Sequence, residues 1–420
     1  MSGRANQAWL LVMAACAAPA GRNVPAEQRS GSAPAASGPA RVRPGIDVLL
    51  ADSAHLLRGR RVGLVTNQAG VDARGTSDVT RLRDAGVNLV ALFSPEHGFR
   101  GRAAPGATVA STVDSATGLP IYSLYGRTTA PTPGMLQGVD LLLVDLQDAG
   151  ARYYTYLATT VEVMRAAGQR GIRVIVLDRP NPIGGAVQGN VLDPSHASMV
   201  GRIAVPMRHG LTIAELARLA AVDLGLPPPG VVPLDRWRRD AAFDATGLPF
   251  VPPSPNLRSL ESLFHYPGLC LFEGTALSVG RGSDAPFEQV GAPWLDNAAV
   301  LSRLERARLP GVRFRSVSFT PRAPGDGRFA DTLVAGIRLA VTDRAVYDPT
   351  SVAVHLLAAV GAVHPDRIGW IPRHFDRLAG GPHLREALAR GTPPESIVAG
   401  WRPGLARFRE RRVAVLLYGE

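Results

Sequence analysis

Cysteine is nearly absent from this sequence, since only Cys16 and Cys270 occur among its 420 residues. Two cysteines supply neither a disulfide framework nor a cysteine-based metal site. Cys270 lies in the apolar run of residues 269–272 and is most simply a small buried hydrophobic residue. The hydrophobic content of 46% is that of a well-buried globular protein, and the length allows two domains.

The usual nucleotide and metal signatures are also missing. No Gly-x-Gly-x-x-Gly fingerprint follows the first predicted strand, which argues against a bound dinucleotide. Residues 280–283 are glycine-rich but lack the lysine and the spacing of a phosphate loop. The histidines at 355, 364, 374 and 383 share no ligand spacing, and no His-x-x-x-His pair occurs. We therefore expect no cofactor and no metal ion.

The sequence has an excess of positive charge but no arrangement typical of nucleic acid binding. The net charge is +11 and rests mostly on arginine. These residues are spread thinly, and no basic block is interleaved with aromatic residues. We expect no nucleic acid partner, whereas an anionic glycan would suit the charge.

Residues 1–21 have the features of an export signal. Arg4 supplies a positive start, and residues 9–15 form an apolar stretch too short to span a bilayer. Residues 13–16 approximate a bacterial lipobox, which would make Cys16 a lipidated N-terminus and the only membrane attachment. A plain cleaved signal and a frayed helix are the alternatives. We expect export to the periplasm or the cell exterior, with a disordered Ala/Pro/Ser-rich linker at residues 22–43.

Apolar runs alternate with helical patterns along the rest of the chain. This alternation predicts an α/β fold with a parallel sheet and helices on both faces. We place this domain at residues 44–262 and a smaller α/β domain, which closes a cleft, at residues 263–420. The predicted strands are 61–66, 89–93, 139–146, 173–177, 311–319 and 334–341, and the predicted helices are 79–85, 156–170, 212–224 and 351–360.

Three strands of the predicted sheet end in dense polar motifs. Residues 94–98 read Ser-Pro-Glu-His-Gly, residues 145–154 carry three charged side chains and two tyrosines, and residues 178–182 read Asp-Arg-Pro-Asn-Pro. The carboxyl ends of parallel strands lie at the same edge of a sheet, where ligands bind in open α/β folds. We therefore expect these loops to meet in one crevice.

Further motifs follow in the second half of the larger domain and beyond. Residues 208–212 precede a helix, and Thr212 and Glu215 have the spacing of a capping box. Residues 252–256 contain three prolines and cannot be helical. Residues 272–275 repeat the pattern of a strand followed by an acid and a glycine.

Taken in order, these motifs resemble those of NamZ-type exo-β-N-acetylmuramidases. The resemblance runs from about residue 45 to near the C-terminus. Two positions depart from the family pattern, because Ser283 stands where threonine is expected and Leu211 where methionine is usual. The matching stretches are residues 94–101, 123–126, 145–156, 177–185, 208–212, 253–256 and 273–294.

The resemblance implies a Rossmann-like N-terminal domain, a smaller C-terminal domain and an active-site cleft between them. It also implies an exo-acting glycosidase that releases N-acetylmuramic acid from the non-reducing end of peptidoglycan fragments. Peptidoglycan-derived saccharides are then the expected partners.

Glycoside hydrolysis ordinarily needs two carboxyl groups, one of them protonated at working pH. Glu96 is our candidate for the acid, and Asp148 and Glu273 are the candidates for the second carboxylate. The acetamido group of the sugar is a third possibility, because it can itself act as the nucleophile. Asp145 and Asp178 are expected to orient loops or to pair with Arg152 and Arg179.

The remaining motif residues are candidates for substrate binding. A lactyl carboxylate needs a cation, and guanidinium binds carboxylate bidentately. Tyrosine and asparagine suit sugar stacking and hydroxyl contacts, and an imidazole next to the acid can tune it or bind substrate. The substrate-binding candidates are His97, Arg100, Asp145, Gln147, Arg152, Tyr154, Tyr156, Asp178, Arg179, Asn181, Arg208, His209, Asn256 and Arg281.

Two other functions fit the residues less well. A metal-dependent hydrolase could activate water, although no compact ligand pair occurs. Its candidate ligands are Glu96, His97, Asp145, Asp148, Asp178 and His209. An exported glycan-binding protein would share the two-domain cleft but would bind sugar without turnover.

Overall fold

A seven-stranded sheet organises the first half of the fold in this computed structural model, which describes residues 41–419. A three-stranded and a two-stranded sheet accompany it. The strands are β1 (Val62–Thr66), β2 (Leu89–Ser94), β3 (Thr112–Val113), β4 (Pro120–Ser123), β5 (Leu141–Asp145), β6 (Arg173–Leu177), β7 (Gln188–Val191), β8 (Pro206–Arg208), β9 (Gly230–Val232), β10 (Gln289–Ala292), β11 (Val312–Phe319) and β12 (Val334–Val341).

Helices connect the strands of the large sheet and make up most of the second half of the chain. The helices are α1 (Gly45–Asp52), α2 (Asp78–Asp84), α3 (Tyr156–Gly168), α4 (Ile213–Leu224), α5 (Leu260–Leu269), α6 (Asn297–Ala307), α7 (Pro349–Val363), α8 (Pro372–Ala379), α9 (His383–Ala389), α10 (Pro394–Ala399) and α11 (Arg402–Arg412).

Six strands of the large sheet run parallel in the order β4-β2-β1-β5-β6-β9, and β3 pairs antiparallel with β4 at one edge. From β1 the chain proceeds to β2 and β4 on one side and then returns to β5 on the other. The strand order therefore reverses between β1 and β5. In open α/β sheets, ligands bind beyond the carboxyl ends of the strands at such a point. The predicted parallel sheet is confirmed, and its strand order is Rossmann-like.

Helices cover both faces of this sheet, as predicted. Neighbouring residues of a strand point to opposite faces, so Leu64 and Val65 of β1 enter different cores. Leu64 packs in one core with Leu49 of α1 and Leu82 of α2. Val65 belongs to the other core, which includes the buried residues of α3 and α4. Central strands that are buried on both faces are continuous apolar runs, and this is why their positions could be predicted.

The start of α4 confirms the predicted capping box. The hydroxyl of Thr212 accepts the backbone N–H of Glu215 at 3.3 Å, and the Glu215 carboxylate accepts the backbone N–H of Thr212 at 2.9 Å. Both residues are fully buried. The helix ends at Gly225, whose φ of 60° places it in the left-handed region that favours glycine.

The segment before Glu273 differs from its prediction. Residues 269–272 were expected to form a strand, but they form the end of α5 and the start of a 3₁₀ turn, Cys270–Gly274. A short apolar run that is buried on all sides suits either a strand or a helix, so the sequence pattern does not separate the two. Cys270 is buried, as predicted.

The second half of the chain contains an antiparallel sheet in the order β10-β12-β11, with α5 to α11 around it. The described residues, 41–419, belong to one compact unit. The hydroxyl of Tyr153 donates to the carbonyl of Pro267 at 3.0 Å and so joins the two halves. The division at residues 262 and 263 stays a prediction.

The predicted signal and most of the predicted linker lie outside the described residues. The last residues assigned to the linker belong to the folded body, because Val42 is buried beside Leu234 and Trp237. Arg43 pairs with Asp235 in an isolated β-bridge. No helix within residues 41–419 is long and apolar enough to cross a membrane.

Candidate active site

Glu96 lies just beyond the carboxyl end of β2 and is 9% exposed. One carboxyl oxygen accepts the backbone N–H of Gly106 at 2.9 Å, and the other accepts the hydroxyl of Thr155 at 2.8 Å. Thr155 occupies the N-cap position of α3, yet its hydroxyl donates to Glu96 instead of capping the helix. The carboxyl group of Glu96 is therefore held in one orientation by groups from two different loops.

Tyr125 stands next to the same carboxyl group. Burial raises the pKa of its phenol to about 12, and the negative charge of Glu96 contributes to this shift. The phenol is therefore neutral at physiological pH and can donate a hydrogen bond. Tyr125 follows β4, which is the neighbour of β2 in the sheet.

His97 adopts a backbone conformation that is uncommon for a residue with a side chain, with φ at 70°. Its Nδ1 lies 2.9 Å from the carbonyl of Ala103, so this nitrogen carries the proton. Burial lowers the pKa of the imidazole, the charge of Glu96 opposes that shift, and the charge of Arg281 adds to it. The ring is therefore neutral at pH 7, with Nε2 as a hydrogen-bond acceptor. Backbone strain of this kind occurs often at functional sites.

Tyr154 and Tyr156 form a buried pair beside the acid. Their ring centroids lie 4.5 Å apart, and both hydroxyls donate to the carbonyl of Pro253, at 2.7 and 3.1 Å. The hydroxyl of Tyr156 also accepts the side-chain amide of Asn67 at 2.6 Å. Sugar stacking was expected of these rings, but their burial leaves no open ring face. Their position instead fixes the segment at residues 252–256 against the sheet.

Asn67 was not among the candidates, because residues 67–70 were predicted to be only a turn. It follows β1 and therefore lies at the point where the strand order reverses. The oxygen of its side-chain amide accepts the backbone N–H of Ala69 at 3.0 Å, and the nitrogen of the same amide donates to the hydroxyl of Tyr156. The position of β1 in the centre of the sheet was the signal that could have identified it.

Asp148 follows β5, as predicted, and is 3% exposed. It accepts the backbone N–H of Gly150 at 2.6 Å, and the Nε2 atom of His209 lies 3.3 Å from the same oxygen. His209 accepts the backbone N–H of Leu211 at Nδ1, so the proton of the neutral ring is on the nitrogen that faces Asp148. The predicted loop after β5 therefore meets the motif of residues 208–212 here.

Glu273 and Arg281 form an ion pair in the second half of the chain. One carboxyl oxygen of Glu273 lies 2.7 Å from Nε and 2.5 Å from an Nη atom of Arg281. The thiol of Cys270 lies 3.6 Å from the other oxygen, and burial together with the charge of Glu273 raises the pKa of that thiol well above its ordinary value. The carbonyl of Glu273 accepts a hydrogen bond from Arg328, which fixes the turn.

The ion pair acts electrostatically on the loop that carries the acid. The charge of Arg281 lowers the pKa of His97, and the charge of Glu96 acts on the same imidazole. Glu273 in turn acts on His374 of α8, whose pKa is lowered chiefly by burial. Charged side chains from both halves of the chain thus act on the imidazole of His97.

Arg152 and Arg208, two of the predicted carboxylate-binding cations, are instead bonded within the protein. Arg152 donates to the carbonyls of Asn190 at 2.7 Å and Leu378 at 2.8 Å, among others. Arg208 donates to Gln188 at 2.9 Å and to the carbonyl of Ile183. Burial lowers the pKa of both guanidinium groups. These arginines therefore link loops to one another. The sequence did not indicate this role, because the residue types do not show which main-chain carbonyls will lie near a side chain.

Gln147 and Asn181 also bond to main-chain groups. The amide of Gln147 donates to the carbonyls of Asp148 and Pro180, each at 2.9 Å. Asn181 donates to the carbonyl of Leu211 at 2.9 Å and accepts the backbone N–H of Ile183 at 3.1 Å. Both side chains therefore hold neighbouring loops in register.

Asp145 forms a buried ion pair with Arg179, which is one of the roles predicted for this aspartate. Asp78 lies in the same cluster, and burial together with the charge of Asp145 raises its pKa well above the ordinary value. These groups lie beneath the crevice and orient the loops after β5 and β6.

Asp178 has its own set of donors rather than an arginine side chain. It accepts the hydroxyls of Tyr418 at 2.6 Å and Thr212 at 2.7 Å, and the backbone N–H groups of Arg179 and Ala214 at 3.0 Å. Burial raises its pKa to about 7. Of the two roles predicted for Asp178, pairing with an arginine side chain is not seen, and its contacts with the start of α4 and with the C-terminal tail fit the orientation of loops.

Arg100 and Asn256 lie nearer the surface of the site. The side chain of Arg100 is 68% exposed and pairs with Asp114 at 3.2 Å. Asn256 is 8% exposed and ends the proline-rich segment that Tyr154 and Tyr156 hold. Within residues 41–419, no cluster of three or more histidine, cysteine or acidic side chains has the arrangement of a metal site.

The fold and the site define an α/β protein of Rossmann-like order that holds an acid, a neutral imidazole and a phenol at the carboxyl edge of its sheet, and these are groups of acid–base catalysis. Comparison with protein families gives two matches. The N-terminal domain of exo-β-N-acetylmuramidase NamZ matches residues 62–261, and its C-terminal domain matches residues 264–418. The chain belongs to this family.

Known relatives agree with the assignment. The chain is 42% identical to the peptidoglycan β-N-acetylmuramidase NamZ of Bacillus subtilis strain 168 over 385 residues, which cover 90% of this chain and 92% of that protein. Two crystal structures of DUF1343 family proteins from Bacteroides fragilis are similar. One has a TM-score of 0.83 at 34% identity and covers 90% of this chain and 99% of its own. The other has a TM-score of 0.73 at 31% identity and covers 91% and 100%.

Proposed function

We propose that this protein is an exo-acting glycoside hydrolase that releases N-acetylmuramic acid from the non-reducing ends of peptidoglycan fragments. The observation that carries the proposal is family membership along both halves of the chain, at residues 62–261 and 264–418. The match to a named peptidoglycan β-N-acetylmuramidase covers 92% of that relative, so the comparison is with a whole enzyme rather than one shared domain.

Glu96 is our candidate for the group that protonates the leaving oxygen of the glycosidic bond. It is largely buried, stands at the carboxyl edge of the sheet, and is oriented by Gly106 and Thr155. A carboxyl group in a fixed orientation can deliver its proton to one position only, which suits an acid that acts at a single bond. Neutral His97 beside it presents Nε2 as an acceptor for a sugar hydroxyl or a water molecule.

Asp148 and Glu273 both stay candidates for the second carboxylate, and their surroundings differ. Glu273 is paired with Arg281, and its side chain is 20% exposed. The side chain of Asp148 is 4% exposed and is bonded to its own loop. Either group could also orient the acetamido group of the sugar if that group is the nucleophile.

Two disaccharides test the proposed reaction. The purified protein is expected to release free N-acetylmuramic acid from MurNAc-GlcNAc and to leave GlcNAc-MurNAc intact, because an exo-acting muramidase recognises the muramic residue at the non-reducing end. Products are followed by mass spectrometry. Activity should persist after exhaustive treatment with EDTA, since loss under chelation would favour a metal-dependent hydrolase. Tight binding of MurNAc-GlcNAc without cleavage would favour the glycan-binding protein.

We also propose that the chain is exported, with Cys16 as a lipid attachment site. The apolar stretch at residues 9–15 and the cysteine directly after Met-Ala-Ala support this. The full-length protein expressed in a bacterium is expected in the membrane fraction, and the Cys16→Ser variant is expected to leave it. Retention of both proteins in the cytoplasm would contradict export, and equal membrane association of both would contradict lipidation.

A further inference from the structure

Arg281 carries a buried N–H group that has no hydrogen-bond partner among the described residues. Its Nε atom and one Nη atom bond to Glu273, at 2.7 and 2.5 Å, while Nη1 is buried without a partner. The side chain keeps 9% of its surface exposed. Guanidinium has two edges that can each accommodate a carboxylate, and Glu273 occupies only the edge that contains Nε.

The guanidinium is held rigidly in this position. Its Cζ atom lies 4.9 Å from the ring centroid of Phe287, a fully buried residue with φ at 60°. Gly280 and Gly282 flank it with φ values of 77° and 76°, and a side chain at Gly282 would meet the carbonyl of Arg322 at 2.6 Å. A group that is fixed before its ligand arrives loses little side-chain entropy on binding. The loop therefore presents a prepared cation rather than a flexible surface arginine.

The other candidate cations of the site are engaged elsewhere. Arg152 and Arg208 each keep a buried Nε atom without a partner, but both terminal nitrogens of each donate to carbonyl or amide oxygens inside the protein. Arg100 pairs with Asp114, and most of its side chain is exposed to solvent. Arg281 is the member of this set whose charge acts on His97, the residue next to the acid. It thus combines an unused buried terminal nitrogen with an electrostatic effect on the residue next to the acid.

We propose that Arg281 binds the carboxylate of the lactyl ether on the muramic sugar through its free Nη1 edge while Glu273 holds the opposite edge. This inference rests on the proposed function and names the residue that would make the enzyme specific for muramic acid. The lactyl carboxylate is what distinguishes N-acetylmuramic acid from N-acetylglucosamine. Arg281 is then the residue that selects muramic acid, and Glu273 and Phe287 are the positioning residues that aim it.

A pair of substrates isolates this contact. One is 4-nitrophenyl N-acetyl-β-muramide with a free carboxylate, and the other is the same glycoside with the lactyl group as a carboxamide. The wild type is expected to prefer the acid by about 10- to 100-fold in kcat/KM, the effect of a hydrogen bond to a charged group. In Arg281→Met this ratio is expected to fall to about one, because the variant loses the contact only with the charged substrate.

Three further variants sharpen the experiment. Arg281→Gln keeps an N–H for Glu273 and is also expected to lose the preference for the acid over the amide. It replaces Arg281→Met as the test if that variant does not fold. Arg322→Met is the matched control, since Arg322 is 73% exposed and its backbone contacts the same loop. It is expected to keep the ratio. Arg100→Met tests the competing cation and is also expected to keep it.

The outcomes separate this inference from the proposed function. An acid-to-amide ratio that survives in both Arg281 variants overturns the inference, as does a ratio that is lost in Arg100→Met. A wild type that hydrolyses both glycosides equally overturns it too, because the carboxylate is then not recognised. Failure of the wild type to hydrolyse either glycoside or the MurNAc-GlcNAc disaccharide would instead overturn the proposed function.

Discussion

Replacing Glu96 by glutamine is expected to lower kcat for release of N-acetylmuramic acid from MurNAc-GlcNAc by about 10²- to 10⁴-fold. Glutamine retains the shape of the side chain and can accept from Gly106, but it has no proton to deliver to the leaving oxygen. The loss is expected to be much smaller on 4-nitrophenyl N-acetyl-β-muramide, because nitrophenolate leaves without protonation. Steady-state kinetics on both substrates measure the difference.

Glu410→Gln is the matched control, since Glu410 is an exposed glutamate on α11. This variant is expected to keep wild-type kinetics on both substrates. A Glu96→Gln variant with full activity would keep the reaction and remove Glu96 as the acid. An equal loss on both substrates would indicate that Glu96 acts in another step or supports the site structurally, and a thermal melt would distinguish these two.

The second large effect is expected on stability, at Glu215. Its buried carboxylate bonds to Arg239, to the backbone N–H of Thr212 and to that of Leu417, so it joins α4 to the C-terminal tail. In Glu215→Gln the guanidinium of Arg239 would stay buried with its charge uncompensated. Removing one partner of a buried ion pair costs about 3–5 kcal/mol in the free energy of unfolding. Urea unfolding followed by circular dichroism should show a much lower midpoint.

Arg238 and Asp240 provide the control, because they form an exposed pair near Arg239 in the sequence. Asp240→Asn is expected to leave the urea midpoint unchanged, since exposed ion pairs contribute little. The same midpoint for Glu215→Gln and the wild type would contradict the role assigned to this network. Equal shifts of the urea midpoint in both variants would show that the burial of an ion pair does not determine its contribution to stability.

The parallel sheet and the location of the site could be predicted because both depend on strongly patterned stretches. β5 and β6 are buried on both faces, so they are continuous apolar runs with abrupt polar ends. Glu96 and Asp148 follow such ends directly. Parallel strands then place these loops at one edge of the sheet, whatever the details of their side chains.

The partners of individual side chains could not be predicted in the same way. Arg152 and Glu96 both stand in polar motifs, yet Arg152 bonds to carbonyls of residues 190 and 378, which are far away in the sequence. The prediction of a strand before Glu273 is wrong, because a run of four apolar residues fits a buried strand and the end of a buried helix equally well. Asn67 was missed because its segment has the composition of an ordinary turn.

The reaction was predicted from the resemblance to a known family, because neither the charge of the chain nor its strand pattern specifies a reaction. The motifs alone left an acid–base hydrolase, a metal-dependent hydrolase and a binding protein as possibilities. The match of both family domains and the 42% identity to a named muramidase support the first of these. The contacts of Glu96 and Arg281 then indicate which side chains carry the proposed chemistry.

The most direct test of exo-acting muramidase activity is the order in which products leave a peptide-free tetrasaccharide with MurNAc at its non-reducing end. The account predicts that free N-acetylmuramic acid and a trisaccharide that begins with GlcNAc appear first, as resolved by liquid chromatography and mass spectrometry. Disaccharides as the first products would indicate cleavage within the chain, and an unchanged tetrasaccharide would indicate binding without turnover. Either result would contradict the account.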